Sequence, residues 1–231
     1  MSDRLTSWVI TVDGPSGSGK SSVSKLLART LDFMYLDTGA MYRAFALMVY
    51  EDRKQGGNRD LEAMLAAFCI RFVSEEDGHV FAFLGDRDVS NEIRLPEVTM
   101  LASELSKRRE VRHSMSQRQR EFARDANLVA EGRDMGTVVF PDAQVKFYLT
   151  ADPVVRARRR YLELKASCRE ILEEEVLRDI ERRDKQDSER KEAPLRPAPG
   201  AEIIDSSRRS LEEVLAMMLG VVRVKMSGVE I

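Results

Sequence analysis

Cysteine, histidine and tryptophan are scarce in this chain: two, two and one among 231 residues. The cysteines, Cys69 and Cys168, match no metal-ligand spacing and are too few for a disulfide framework. A reducing compartment is the simplest reading. The histidines, His79 and His113, have no sequence partners that would build a nucleophilic triad. No apolar run is long enough to span a bilayer, and Met1-Ser2-Asp3-Arg4-Leu5 holds no apolar signal region. A cytoplasmic protein with no membrane partner is therefore expected. Charge of one sign is not in excess either. Charged residues make up 33% of the chain, yet the net charge is only −2. Interleaved charges create no global field for nucleic acid, so no such partner is expected.

Against these absences stands one dense motif, Gly14-Pro15-Ser16-Gly17-Ser18-Gly19-Lys20-Ser21. It follows the phosphate-binding pattern of glycine, four residues, glycine, lysine and serine or threonine. The apolar run Trp8-Val9-Ile10-Thr11-Val12 before it reads as a buried strand. Val23, Leu26, Leu27 and Leu31 after it recur at helical spacing. Glycines let the backbone approach an anion, and successive N–H groups at a helix start supply partial positive charge. Lys20 would reach the β- and γ-phosphates of ATP, and the Ser21 hydroxyl would sit on Mg²⁺.

Downstream, strands and helices alternate. Phe33 to Leu36 reads as a strand, and Asp37 or Thr38 caps a helix that Gly56-Gly57 stops. Two strands, 69–73 and 80–84, flank the turn residues Glu76-Asp77-Gly78 and predict a hairpin. A hairpin inside an α/β alternation marks an insertion, residues 60–97, in a core of 1–59 and 98–231. A helical stretch from Leu95 to Arg124 breaks near Lys107-Arg108-Arg109, and its arginine-rich second half reads as a solvated face. Asn127-Leu128-Val129-Ala130 is a buried strand ending in Glu131-Gly132-Arg133-Asp134. Ligands of open α/β sheets bind at such strand ends. Asp152-Pro153 opens a helix bearing Arg156 and Arg160, and residues 153–192 are charged enough to serve as a lid. A last strand near 201–205 precedes a helix capped by Ser207 or Ser210.

A phosphate loop implies nucleotide binding, and the second substrate decides the reaction. Asp184-Lys185-Gln186-Asp187 approaches the guanine motif of GTPases, but it starts with Asp and lies in a charged helical run. No Asp-x-x-Gly switch accompanies it. The lack of a general base fits an acceptor that is itself a phosphate monoester, whose second pKa is about 6. Phosphoryl transfer then needs positioning and cations, which Lys20 and the many arginines supply.

Three further segments complete the picture: Leu36 to Arg43, Glu131 to Ala143, and Arg183 to Leu195 ending in Ala193-Pro194-Leu195. With the phosphate loop, they make the chain resemble the bacterial cytidylate kinases of the nucleoside-monophosphate kinase group over nearly its whole length. The resemblance implies an α/β P-loop NTPase fold, with a central parallel sheet flanked by helices. It also implies an inserted monophosphate-binding subdomain with an antiparallel hairpin, and a helical lid. The donor loop becomes Gly14, Pro15, Ser16, Gly17, Ser18, Gly19, Lys20, Ser21 and Ser22. The monophosphate site becomes Thr38, Tyr42, Arg43, Ser103, Arg112, Arg133, Asp134, Asp187 and Arg190. Most members of the family carry Ser where Thr38 stands, and Thr keeps the hydroxyl. Arg156 is assigned to the donor nucleotide, and Lys20, Arg133, Arg190, Arg183 and Arg160 to the transferring group. The implied reaction moves the γ-phosphoryl group of ATP to CMP or dCMP, with Mg²⁺, in a cytoplasmic monomer. A kinase for UMP, AMP or a hydroxyl acceptor, and a P-loop module that holds RNA, are the rival readings.

Overall fold

The computed structural model describes residues 7–75, 80–124, 126–166 and 171–228. The expected turn Glu76-Asp77-Gly78, His79, Cys168 and the N-terminal residues Met1 to Leu5 lie outside them. The chain forms two compact units: Met1–Leu36 with Phe122–Ile231, and Asp37–Glu121.

The first unit is built on a five-stranded sheet in the order β2-β6-β1-β7-β8. These strands are β1 (Val9–Asp13), β2 (Met34–Asp37), β6 (Leu128–Gly132), β7 (Val145–Thr150) and β8 (Glu202–Asp205). The pairs β1–β6, β1–β7 and β7–β8 are parallel. Every residue of β1 is buried, as a central parallel strand covered on both faces requires. Helices α1 (Lys20–Leu31) and α8 (Leu211–Met226) pack on each other and on this sheet. Val23, Leu27 and Ala28 form the buried stripe of α1. Ser210 caps α8 in a reciprocal capping box with Glu213. Helix α1 has no side-chain cap behind Gly19, so its first N–H groups are left to face an anion.

Helices α6 (Pro153–Ala166) and α7 (Glu173–Glu189) occupy the stretch expected as a lid. They pair along a small cluster of Ala157, Val176 and Ile180, bordered by Tyr161, Leu164, Ile171 and Leu177. Leu172, which precedes α7, is 61% exposed.

The second unit holds α2 (Thr38–Lys54), α3 (Leu61–Ala67), α4 (Pro96–Leu105) and α5 (Arg109–Glu121). Its small antiparallel sheet joins β3 (Ile70–Ser74), β4 (Val80–Leu84) and β5 (Arg87–Asp88). The register Ile70↔Leu84 and Val73↔Phe81 makes the expected hairpin. The Asp37 carboxylate caps α2 by accepting from the Ala40 N–H. Phe45 and Phe68 meet edge to face at 5.5 Å in the core of this unit. The break between α4 and α5 falls at residues 106–108, and Pro96 starts α4. One expectation needs correction. The arginine-rich helix α5 is not simply a solvated face, because Arg112, Ser116 and Gln119 are buried with Val111 and Met115.

Candidate active site

The donor cradle begins where β1 ends. Gly14 is obligatory there: a Cβ on it would lie 2.0 Å from the Leu149 carbonyl oxygen, at a φ of +150°. The loop is braced from three sides. Ser18 Oγ donates to the Pro15 carbonyl at 3.0 Å, and Ser206 Oγ donates to the Ser18 carbonyl at 2.9 Å. Arg156 donates from Nη1 to the Ser16 carbonyl (3.2 Å), from Nε to the Ala151 carbonyl (2.8 Å) and from Nη2 to Asp184 (2.6 Å). Arg156 is buried, and all three of its nitrogens serve the loop and the arm. The side chain expected on the donor nucleotide is thus a strut of the cradle here.

Lys20 is buried and donates from Nζ to the Pro15 carbonyl at 2.6 Å. Burial moves its pKa from the ordinary 10.5 down to about 7; Arg133 pushes the same way, against Glu131, Asp13 and Asp187. A bound polyphosphate would reverse that balance. Beside Lys20, Ser21 Oγ donates to Glu131 Oε2 at 3.0 Å, and the Tyr35 hydroxyl donates to Glu131 Oε1. Glu131 stands one residue before the end of β6, paired with Val12 of β1, and its carboxylate meets the first turn of α1 at Ser21. Among the described residues, no group of three or more His, Cys, Asp or Glu could hold a metal alone. A hydroxyl and one carboxylate, both hard oxygens, suit Mg²⁺ that keeps its waters and rides on a nucleotide's phosphates. These residues fit such an ion.

The same end of β6 carries the next charged pair. Arg133 donates from Nε to Asp187 Oδ2 at 2.8 Å. Burial opposes its charge, but Asp187, Glu131 and Asp13 outweigh that and raise its pKa. Arg190 Nη2 lies 3.7 Å from Asp134 Oδ1, and Nη1 lies 4.0 Å from Asp187 Oδ1. Its Nε donates to the Ala193 carbonyl at 2.6 Å. Arg133, Asp134, Asp187 and Arg190 are therefore one linked cluster. Arg183 on α7 is held below its ordinary pKa by burial, with Asp179 opposing and Arg160 and Arg133 adding like charge. Arg160 itself pairs with Glu163 at 2.8 Å on the exposed side of α6.

Within the second unit, Thr38, Tyr42 and Arg43 lie on the first two turns of α2. Arg43 Nη2 donates to Asp37 Oδ2 at 3.0 Å. The Arg112 guanidinium sits 6.0 Å from the Tyr42 ring centroid and donates to the Ser106 carbonyl. Ser103 is on α4, and its carbonyl accepts from Ser106 Oγ.

Three residues of the site were missed at the sequence level: Asp13, Tyr35 and Glu131. Glu131 had a visible signal, a carboxylate at the end of a buried strand. Asp13 stands directly before the glycine motif, but only the register across β1 and β6 discloses its partners.

A parallel sheet with a glycine cradle behind its central strand, a buried lysine and a bank of arginines defines a P-loop nucleotide-binding protein of the phosphoryl-transfer class. The sequence profile of cytidylate kinase matches residues 10–224. A cytidylate kinase from Thermosipho melanesiensis is 47% identical over 216 residues, covering 94% of this chain and 97% of that one. One from Geobacter sulfurreducens is 45% identical over 219 residues, covering 93% and 92%. Among solved structures, an uncharacterized protein from Eubacterium ventriosum matches 94% of this chain and 98% of its own at a TM-score of 0.53. At 12% identity that likeness shows the fold alone. The chain belongs to the cytidylate kinase family. No described helix is long and apolar enough to cross a membrane.

Proposed function

We propose that this chain transfers the γ-phosphoryl group of ATP to CMP, giving ADP and CDP, and accepts dCMP in the same site. The observation that carries the reading is the charged run at the end of β6, Glu131 to Asp134, beside the phosphate loop in a family member. An oxygen of the CMP phosphate attacks the γ-phosphorus in line. The new P–O bond forms as the bond to the β-phosphate oxygen breaks, and ADP leaves with that electron pair. The attacking oxygen is already ionised near neutral pH, so no base is required.

Lys20 and the first N–H groups of α1 hold the donor phosphates. Ser21, with Glu131 behind it, would hold Mg²⁺, which when bound would supply positive charge to the donor phosphates. Arg133 and Arg190 exchange their carboxylate partners for the acceptor phosphate, where planar guanidinium forks bind oxygens in pairs. Asp134 accepts from the exocyclic amino group of cytosine, and Asp187 holds the ribose hydroxyls. A carbonyl at that position, as in UMP, would face a buried carboxylate, and a mismatch of this kind costs about 1–3 kcal/mol. Thr38, Tyr42, Arg43, Ser103 and Arg112 are assigned to the acceptor by the same family resemblance. Arg183 and Arg160 bring positive charge to the transferring group as the α6–α7 arm closes and excludes water. The protein acts as a monomer in the cytoplasm.

Coupled ADP release with Mg²⁺ over CMP, dCMP, UMP and AMP tests the reading. CMP and dCMP should turn over well ahead of the other two. Faster turnover of UMP or AMP would overturn the base assignment.

A further inference from the structure

The buried carboxylate of Asp13 takes no part in the chemistry above. It is 2% exposed, and its neighbours on both sides are strands: Gly132 of β6 and Tyr148 of β7. Both its oxygens are used. Oδ1 accepts from the Met135 N–H and Oδ2 from the Gly136 N–H, each at 2.8 Å. These N–H groups open a short wide turn, Met135–Val139, closed by bonds from the Val139 N–H to the Asp134 carbonyl and from the Phe140 N–H to the Met135 carbonyl. Such a turn leaves its first N–H groups without partners of its own. Asp134, which precedes it, makes no side-chain cap. The cap comes from β1 instead.

Sterics fix the turn as well. A Cβ on Gly136 would lie 2.9 Å from Thr11 Oγ1 and 3.0 Å from the Ala198 Cβ, so the backbone sits flush against β1. Arg133 and Asp134 are thus two residues suspended between fixed points. On one side the ladder pairs Glu131 with Val12 and Gly132 with Asp13. On the other the Asp13 carboxylate grips residues 135 and 136. Asp13 also runs straight into Gly14, the first residue of the donor cradle.

We infer that Asp13 is a positioning residue: by capping the turn at Met135 and Gly136 it sets Arg133 and Asp134 at a fixed place relative to the phosphate loop. It thereby governs acceptor affinity and base choice without touching either substrate. This rests on the assignment of Arg133 and Asp134 to the acceptor. Misplacement of a binding group by about 1 Å can cost on the order of 100-fold in rate.

The test compares Asp13→Asn, Asp13→Ala, Gly136→Ala and Asp134→Asn. Each is measured for KM of CMP, the CMP-to-UMP ratio of kcat/KM, and affinity for a non-hydrolysable ATP analogue. Asp13→Asn is isosteric and keeps one acceptor, so it holds the test open if Asp13→Ala does not fold. Gly136→Ala pushes the same turn away from β1. Asp13→Ala and Gly136→Ala should raise the CMP KM and lower the CMP-to-UMP ratio by about tenfold or more each, with analogue affinity within about threefold of wild type. Asp13→Asn should fall between them and wild type. An unchanged CMP KM in both Asp13 variants overturns the inference. So does a loss of analogue affinity as large as the loss for CMP, since that marks general collapse of the loop. Asp134→Asn separates the two layers. If it leaves discrimination intact while Asp13→Asn still raises the CMP KM alone, the base assignment fails and positioning through Arg133 stands. If it relaxes discrimination while the Asp13 variants do not, Asp13 has no positioning role.

Discussion

The donor and acceptor groups of the first unit hold their cations differently. In the cradle, Lys20 bonds to the Pro15 carbonyl, and Arg156 to the carbonyls of Ser16 and Ala151 with one carboxylate, Asp184. In the acceptor cluster, arginines pair with carboxylates, Arg133 with Asp187 and Arg190 with Asp134 and Asp187. A carbonyl does not offset a charge, so the buried lysine sheds much of its proton affinity. A carboxylate does, so Arg133 stays fully charged despite burial. On the proposed assignment, the cradle would gain charge when a polyphosphate arrives. The arginine–carboxylate cluster, neutralised in advance, would trade one anion for another.

The largest expected break in this contrast is Lys20→Met. Removal of a preorganised cation at the transferring group lowers kcat by at least 100- to 1,000-fold. The same change should raise the melting temperature of the ligand-free protein, because it deletes a desolvated amine. Loss of activity without a gain in stability would contradict the buried-amine account.

Next is Arg156→Lys. An ammonium cannot reach the Ser16 and Ala151 carbonyls and Asp184 together. Stability should fall by about 1–3 kcal/mol, and the ATP KM should rise more than the CMP KM. Equal changes in both would mean that the strut is not particular to the cradle.

Proton linkage sharpens the comparison further. With Lys20 at about 7 in the folded protein and 10.5 ordinarily, the unfolded chain binds the extra proton between those values. Its contribution to stability therefore rises with pH across that window, and the full penalty stands below 7. Asp13 runs the other way: burial raises it from 3.8 to about 6, so its contribution falls as pH climbs from 3.8 to 6. Binding of an ATP analogue at pH 8 should take up just under about one proton per site, read by calorimetry in two buffers of different ionisation enthalpy. The Lys20→Met protein should take up none.

The smallest effect is expected on the arm. Arg158 pairs with Glu173 at 2.6 Å, but both side chains are exposed. Arg158→Gln should change stability by less than about 1 kcal/mol in thermal unfolding. A larger loss would make that pair a real clasp between α6 and α7.

The cradle was legible from sequence because its determinants are local: glycines, a lysine and a hydroxyl within eight residues, between an apolar run and a helical stripe. The hairpin followed from turn residues in the same way. What stayed hidden depends on residues far apart in the chain. Arg156 and Arg160 share spacing on one helix, yet one is buried under Ser16 and the other pairs with Glu163 at the surface. Helical period tells which residues share a face, not what that face meets. The same holds for Arg112, buried in an outwardly polar helix, and for Asp13, whose partners lie more than 120 residues away.

The tie from Ser206 to the Ser18 carbonyl joins the phosphate loop to a residue 188 positions later, just past the strand that pairs with β7. Contacts this far apart in sequence carry a loop-closure cost that must be met before they reward it. The phosphate loop therefore acquires this brace only after β8 has docked on β7.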